Sequence, residues 1–545
     1  MKMTVSQAIV ECLKAENIKV VYGYPGAAIC PFYDALLDAG SEIKNLLVRQ
    51  EANGGHAANG FARISGKPAV CIATSGPGAT NLITAIATAY ADSVPVICIT
   101  GQVNTDQIGS DVFQEADITG AAEPFVKHSY LLKDPGDTAR VFKEAFYIAG
   151  SGRPGPVLID IPMDVQKEVI DFTYPEKCEI RSYKPTAKGN NLQVKRVAEA
   201  LMSAEKPLIC VGGGIFAAHA EKEIVELCGK LSIPAITTMM GISVFSDDDP
   251  LFYGMIGTHG TKLANYAVNA CDMLFLVGAR VGDRAVKTPL TLAQTTKILH
   301  IDIDPAEIGK NIRADYPLVG DAKLVLQQIL DYVGKQESSG ADRSGWLAQL
   351  NGKRTAAEYE KPVEGTVNPK EFIARLSERM PDNVNIVADV GQNQIWTSRY
   401  SFRRGGRFLT SGGMGTMGYS VPAAIGAKMA DESRPTVALC GDGGFQMNFM
   451  ELATAVQYGV DIKVVVFTNM RLGMVRELQT NGYGNRQTAV FLDGSPDFIK
   501  LAEAYSIPAM RVSDSESMEK AVDMLAEHKG ICLVEVVVDK DFPTL

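Results

Sequence analysis

Short apolar runs alternate with stretches whose hydrophobic residues recur every three or four positions, and this alternation continues along nearly the whole chain. The runs are VVYGY, AVCIATS, VICITG and VLIDIP, then LICVGGG, AITTM, MLFLVGA and ILHIDID, then NIVADVG, VALCGDGG, KVVVFTN and CLVEVVV. Unbroken apolar runs of this length between helical patterns predict strands buried on both faces, which is the mark of an α/β fold with doubly wound parallel sheets. The pattern lapses into polar, proline- and glycine-rich connectors near residues 174–191 and between 335 and 369. Three parallel-sheet domains are therefore expected, over residues 1–175, 190–335 and 365–545.

Composition narrows the class. A length of 545 residues suits three domains of roughly 150 residues each. Apolar residues make up 46% and charged residues 21%, an ordinary soluble balance, and no apolar run reaches the ~18 residues of a membrane span. The N-terminal stretch MKMTVSQAIVECLKAENI is amphipathic and lacks a signal peptide's apolar core, so it reads as the first helix. A net charge of -10 without charge blocks argues against nucleic acid, whose binders need a basic face. The 10 cysteines sit mostly inside apolar runs with no CxxC pair, as core thiols of a reducing, cytoplasmic compartment would.

Open parallel sheets bind ligands at the carboxyl ends of their strands, so the loops after the runs hold the candidate chemistry. Asp442 follows a strand in CGDGG, and Asn469 follows the next strand 27 positions later, the length of one helix-plus-strand crossover. Gly441, Gly443 and Gly444 let the backbone approach a ligand, and a helix is expected to start near Gln446. Singly, an Asp-Gly turn and an Asn cap explain each polar residue. Together, at crossover spacing, they suit a hard cation such as Mg²⁺ bridging a diphosphate. A third loop, TSGGMGTMGYSVP, contains GxGxxG at Gly413, Gly415 and Gly418, with Asp431 near the place of a ribose-binding acid. That pattern alone leaves a dinucleotide open.

The GDG, helix, strand and terminal Asn arrangement resembles the motif of thiamine-diphosphate (ThDP) enzymes. The resemblance implies Asp442, Asn469 and the backbone carbonyl of Arg471 as Mg²⁺ ligands. It also implies Gly26, Gly415, Met417, Gly441, Gly443, Gly444 and Met474 as cofactor-binding residues, with the Gly415 carbonyl and Met417 on the thiamine rings. In LLVRQEANGGHAANGFARISGKPA, Glu51 follows a strand and opens a small-residue helix. That segment is similar to the family's catalytic glutamate segment, whose carboxylate promotes loss of the thiazolium C2 proton. In such enzymes the glutamate domain of one subunit faces the diphosphate domain of another, so a homodimer or homotetramer is implied.

Several collinear segments resemble the acetolactate synthase (acetohydroxyacid synthase) family, large catalytic subunits: GYPGAAICPFYDAL, ATSGPGATNLITAIATAYADSVPVICITGQV, DVFQEADI, SGRPGPVLIDIP, VGARVGDR, SGGMGTMGY and PDFIKLAEAY. The implied activity is decarboxylation of pyruvate and transfer of its hydroxyethyl/acetyl unit to a second 2-oxoacid, in branched-chain amino acid biosynthesis. Phe113 and Gln114 are implied on the substrate side, with a small regulatory subunit as partner. FAD is implied in the central domain, on Arg153, Gly212, Gly213, Gly214, His259, Arg280, Arg284, Asp302 and Asp321. Taken alone, GGG after LICV reads equally as a sheet-to-helix turn. Four positions depart from the family: Leu478 where a Trp is usual, Met163 where a Lys is usual, Asn393 in GQNQ and Ala27 in GYPGA. Leu478 and Met163 bear on the acceptor pocket. A carboligase with another acceptor such as a keto sugar, a simple 2-oxoacid decarboxylase, and a flavin or nicotinamide oxidoreductase remain as rivals.

Overall fold

The computed structural model describes residues 1–337, 340–356 and 358–545. It contains three six-stranded sheets whose strands pair in parallel, and a small antiparallel pair joining Lys2–Thr4 to Val169–Asp171. The N-terminal helix, Val5–Ala15, starts after that short strand with a capping box between Thr4 and Gln7. Two compact units form: one gathers Met1–Lys184, Asn385–Asn393 and Leu409–Asp541, the other Pro185–Val384, Gln394–Phe408 and Phe542–Leu545.

The N-terminal sheet is built from Val20–Gly23, Lys44–Leu47, Ala69–Ala73, Val96–Gln102, His128–Leu131 and Val157–Pro162, which lie in the spatial order 2-1-3-4-6-5. The C-terminal sheet repeats that order with Asn385–Ala388, Arg407–Leu409, Thr436–Gly441, Lys463–Thr468, Ala509–Val512 and Cys532–Val537. In both, the chain reverses its direction of winding beside the first strand. Two crossover loops diverge there and leave a crevice at the carboxyl ends of the first and third strands. The middle sheet differs: Pro207–Val211, Ala235–Thr237, Phe252–Met255, Met273–Val277, Lys297–Asp302 and Tyr316–Val319 take the order 3-2-1-4-5-6. That is the order of dinucleotide-binding domains, with its switch point between the first and fourth strands.

Helix Glu51–Ser65 begins at a Gln50 cap, whose side chain accepts from the Asn53 N–H, and stops at Gly66 in the left-handed region (φ 68°). Its buried face is made of small residues, and it packs on helix Ser420–Ala430 with backbones almost touching. A β-carbon on Gly60 would stand 2.0 Å from the Ala423 carbonyl oxygen, and one on Gly426 would stand 1.8 Å from that of Ala57. No side chain fits either notch. The contact merges the apolar layers into one core running from Tyr22 and Leu46 through Tyr419 and Ile425 to Val464 and Leu533.

Buried Glu451 adds a polar clasp to the same junction. It accepts from the Arg49 N–H at 2.8 Å, Asn53 Nδ2 at 2.9 Å and Thr454 Oγ1 at 2.6 Å. Burial pushes its carboxyl above the usual range.

In the other unit, part of the expected 335–369 connector is built into the fold. Helix Ser344–Asn351 buries Trp346, whose indole N–H donates to the Pro207 carbonyl. Just before it, buried Arg343 donates to the carbonyls of Leu201, Met202, Ala204 and Leu231. One guanidinium thereby serves the last turns of helices Asn191–Ser203 and Glu221–Leu231, where a cation also offsets the helix dipoles.

Candidate active site

The crevice of the C-terminal sheet opens between Asn385–Ala388 and Thr436–Gly441, and an aspartate follows each strand. Asp442 and Asn469 end adjacent paired strands, and the structure brings them together. Asp442 Oδ2 accepts from the N–H groups of Asn469 at 3.1 Å and Met470 at 2.7 Å, and Oδ1 from that of Gly443 at 2.8 Å. The chain turns around the carboxylate with Met470 in the left-handed region (φ 56°). Arg471 follows, donating its N–H to Asn469 Oδ1 at 3.1 Å. Asp442 is 1% exposed, and burial pushes its carboxyl up to about 6. A bound cation would relieve that cost. Among the described residues no three His, Cys, Asp or Glu side chains gather as a metal cluster. A cation here would rest on one carboxylate, the Asn469 amide, a backbone carbonyl and its ligand's own oxygens, a donor set that fits Mg²⁺ on a diphosphate. The helix expected near Gln446 starts four residues earlier, as Asp442–Asn448, because the carboxylate itself holds the turn.

Sequence reading did not single out Asp389 or Gln392. Asp389, wholly buried, accepts from the N–H groups of Gly418 and Ser420, each at 2.8 Å, and a β-carbon on Gly444 would stand 2.5 Å from its Oδ1. Its position, an acid directly after an apolar run, is the same signal that marked Asp442. Gln392 Oε1 accepts from Asn469 Nδ2 at 3.2 Å and orients that amide. Asn393, one of the departures from the family pattern, donates to the carbonyls of Asp389 and Leu439 and so supports the same strand ends.

The glycine loop after Leu409 lies alongside. A β-carbon on Gly443 would stand 3.5 Å from Met417 Cε, so the loop and the GDGG turn are neighbours. The three glycines of GxGxxG have separate reasons. Gly413 is pressed against Ala91 and Asp92, while Gly415 and Gly418 take φ values of +70° and +83°. Asp431 accepts from Ser433 and pairs with Arg434 in its own turn, which accounts for it without a ribose.

At the crevice of the N-terminal sheet, Glu51 is the first residue of its helix. Its Oε2 accepts from Asn81 Nδ2 at 2.9 Å, and its Oε1 lies 3.3 Å from where a Gly78 β-carbon would be. The same turn meets Gly26, whose β-carbon would overlap the Thr74 side chain at 2.5 Å. Thr74 Oγ1 is buried there without a hydrogen-bond partner, a polar atom that a ligand would satisfy. Gly76 (φ +57°) packs on Gln114, itself in the left-handed region at φ 61°. Glu51, Gly26 and Gln114 are thus joined through the TSGPGA turn.

Phe113, beside Gln114, is 87% exposed. Below the loop, Gln102 Nε2 donates to the Ala116 carbonyl at 2.8 Å and to buried Asp160 at 2.9 Å. Burial raises Asp160 to about 7. Met163 starts a short helix after strand Val157–Pro162, and Ala27 begins the turn after Gly26. Met474 and Leu478 lie on helix Gly473–Gly482, of which only Arg476 is buried; Leu478 is 63% exposed.

In the middle sheet, Gly212–Gly214 and Gly278–Arg280 follow the first and fourth strands at the switch point, and Asp302 ends the fifth strand. Gly212 and Gly214 are required by packing, since their β-carbons would stand 2.3 Å from the Gly278 oxygen and 2.7 Å from its Cα. The GGG stretch is a sheet-to-helix turn at the carboxyl end of the first strand. Arg280 and Arg284 are exposed, and His259 is half-buried. Asp302 accepts from the Asp304 N–H, and Asp321 caps helix Ala322–Val333. Arg153 stands in the other unit and donates to Ser93.

Comparison with known proteins agrees with this layout. Residues 3–121 match the N-terminal TPP binding domain of thiamine pyrophosphate enzymes, residues 194–329 their central domain and residues 389–536 their C-terminal TPP binding domain. The chain belongs to the thiamine pyrophosphate enzyme family. A probable acetolactate synthase large subunit of Methanocaldococcus jannaschii is 45% identical, over 98% of this chain and 92% of its own. Acetolactate synthase of Arthrospira platensis is 43% identical over 99% and 95%, and an acetolactate synthase large subunit of Haemophilus influenzae 37% over 99% and 95%. These full-length matches put the chain in the acetolactate synthase branch of that family.

Proposed function

We propose that this chain is the catalytic subunit of an acetolactate synthase, joining two molecules of pyruvate with loss of carbon dioxide, in branched-chain amino acid biosynthesis in the cytoplasm. The reading is carried by one observation: a chain aligned end to end with acetolactate synthases has a carboxylate at Glu51 and a buried Asp442–Asn469 pair at the crevices of its two outer sheets.

Thiamine diphosphate supplies the electron sink that allows a 2-oxoacid to lose carbon dioxide. Asp442, Asn469 and the Arg471 carbonyl hold Mg²⁺, and Gly441, Gly443 and Gly444 admit the diphosphate. The Gly415 carbonyl and Met417 orient the thiamine rings, with Gly26 and Met474 completing the cradle. Glu51 would hold and return a proton at its own carboxylate. Phe113 and Gln114 face the substrates and keep water from the reacting carbon, which favours carbon–carbon bond formation over protonation. The active sites form between subunits of a homodimer or homotetramer, and a small regulatory subunit attaches, as the name "large subunit" of the relatives implies for them.

The acceptor is read from Leu478 and Met163. A Trp presents a large, rigid face, and Leu covers less area. One methylene is worth only roughly 1–3 kcal/mol of discrimination even in a well-shaped pocket. Pyruvate is therefore the default acceptor, with 2-oxobutyrate less strongly preferred than a Trp would allow. Supplied with equal pyruvate and 2-oxobutyrate, the enzyme is expected to form both acetohydroxy acids, and Leu478→Trp to shift the ratio toward acetohydroxybutyrate by about 10-fold or more. Acetaldehyde as the sole product would replace this reading with a decarboxylase. Product formed only with a sugar acceptor would favour the other carboligase.

FAD in the middle domain is read from its dinucleotide strand order and switch-point glycines. His259, Arg280, Arg284, Asp302 and Asp321 would hold it together with Gly212–Gly214, and the reaction involves no net redox. The purified protein is expected to be yellow and to stay active with a redox-inert flavin. Activity that follows flavin reduction would instead support an oxidoreductase.

A further inference from the structure

The loop Gly412–Gly418 is rich in glycine, so its backbone gives up much entropy when it is ordered. Its crest, Gly412 to Gly415, is exposed. It is nevertheless clamped at both ends by buried carboxylates. Asp389, from the C-terminal sheet, takes the N–H groups of Gly418 and Ser420.

The other clamp comes from the N-terminal domain. Asp92, at the end of helix Ile83–Ala91, accepts from the Gly413 N–H at 2.7 Å and the Gly412 N–H at 3.2 Å. Its side chain is 0% exposed and pairs with Arg63 at 2.6 Å, while Arg63 also donates to the Thr410 carbonyl at 2.9 Å. Between the clamps, Thr416 Oγ1 meets Thr88 Oγ1 at 2.7 Å. Thr88 donates to the Thr84 carbonyl at 2.8 Å, so Thr416 is the donor to Thr88. Gly413 closes the fit, because a methyl there would stand 2.9 Å from the Ala91 oxygen and 3.0 Å from Asp92 Oδ1.

We propose that Asp92 is a positioning residue for thiamine diphosphate: together with Arg63 it holds the loop Gly412–Gly418 in place from the neighbouring domain, and so sets affinity for the thiamine end of a cofactor it never touches. The inference rests on the reading of Gly415 and Met417 given above. It assigns no role to Asp92 at the diphosphate, which lies with Asp442 and the GDGG turn.

That division supplies the test. Apoprotein saturated with Mg²⁺ is titrated calorimetrically with thiamine diphosphate and, separately, with inorganic pyrophosphate, for the parent, Asp92→Asn and Gly413→Ala. Asp92→Asn sets an amide N–H₂ against a ring of donors and leaves Arg63 without its counter-charge. Gly413→Ala pushes the loop outward by one methyl while every charge stays paired, so it keeps the question open to measurement if the first variant folds poorly. Each is expected to weaken thiamine diphosphate by about 10-fold or more, the scale of one charge-assisted hydrogen bond, while pyrophosphate binding stays within about 2-fold. Unchanged thiamine diphosphate affinity in the folded variants overturns the proposal. Parallel loss of both ligands also overturns it, because Asp92 would then only support the fold. A parent that binds pyrophosphate but no thiamine diphosphate would sink the cofactor reading itself.

Discussion

Glu51→Gln is expected to lower turnover by about 100-fold or more while thiamine diphosphate and Mg²⁺ still bind, since a positioned acid–base group is worth 10²–10⁴ in rate. The substitution keeps the shape of the side chain. Its carbonyl oxygen can still accept from Asn81 Nδ2, and the helix it opens is capped by Gln50 rather than by residue 51. Only the ability to take and return a proton is lost. Two measurements separate this from damage to the fold: cofactor affinity, which should hold, and exchange of the cofactor's C2 proton with solvent, which should slow in step with turnover. Near-normal exchange would falsify the assignment of Glu51.

Asp442→Ala is expected to weaken Mg²⁺-dependent binding of thiamine diphosphate by at least about 100-fold, more than the 10–100-fold typical of residues one step removed from a metal. Asn469 and a backbone carbonyl are neutral donors and would leave the charge of a divalent cation unbalanced by the protein. The change also strips three N–H groups, of Gly443, Asn469 and Met470, of their acceptor. Asp442→Asn is therefore the informative companion, because it removes the charge yet keeps one acceptor oxygen for the turn, although its N–H₂ then faces the backbone donors held by the other oxygen. If Asp442→Asn binds the cofactor as tightly as the parent in excess Mg²⁺, the carboxylate is not the ligand.

Much of this layout is legible in the chain, for a definite reason. The twelve apolar runs are the four inner strands of each sheet. Flanked on both sides and covered on both faces, these strands are predominantly apolar. The outermost strands, such as His128–Leu131 and Arg407–Leu409, are short and part-polar because one side meets solvent, and periodicity marks them weakly. The pairing of Asp442 with Asn469 follows from crossover length alone. Asp389 carries the same strand-end signal but no partner at crossover spacing. Arg343, Asp92 and Glu451 look like ordinary surface charges, since what buries them comes from residues as much as 402 positions away. GxGxxG misleads in the opposite direction: Gly413 is demanded by a neighbouring aspartate rather than by a nucleotide.

The notched helix crossing has one more consequence. Gly60 faces Ala423 and Gly426 faces Ala57, so the contact reads the same from either helix, as AANG at 57–60 against AAIG at 423–426. Each helix also occupies the same place in its domain, between the second and third strands of a sheet ordered 2-1-3-4-6-5. When residue i of one half meets residue j of the other, and residue j of the first meets residue i of the second, the contact has the pattern of an isologous interface, the kind that joins two identical subunits about a two-fold axis. This chain therefore holds within one polypeptide the contact pattern of a symmetric pair, made between two domains of the same strand order. One now opens the shared helix with the acid Glu51. Its twin enters the equivalent helix from a glycine loop. Superposing the two sheets strand for strand should carry residue 57 onto 423 and residue 60 onto 426.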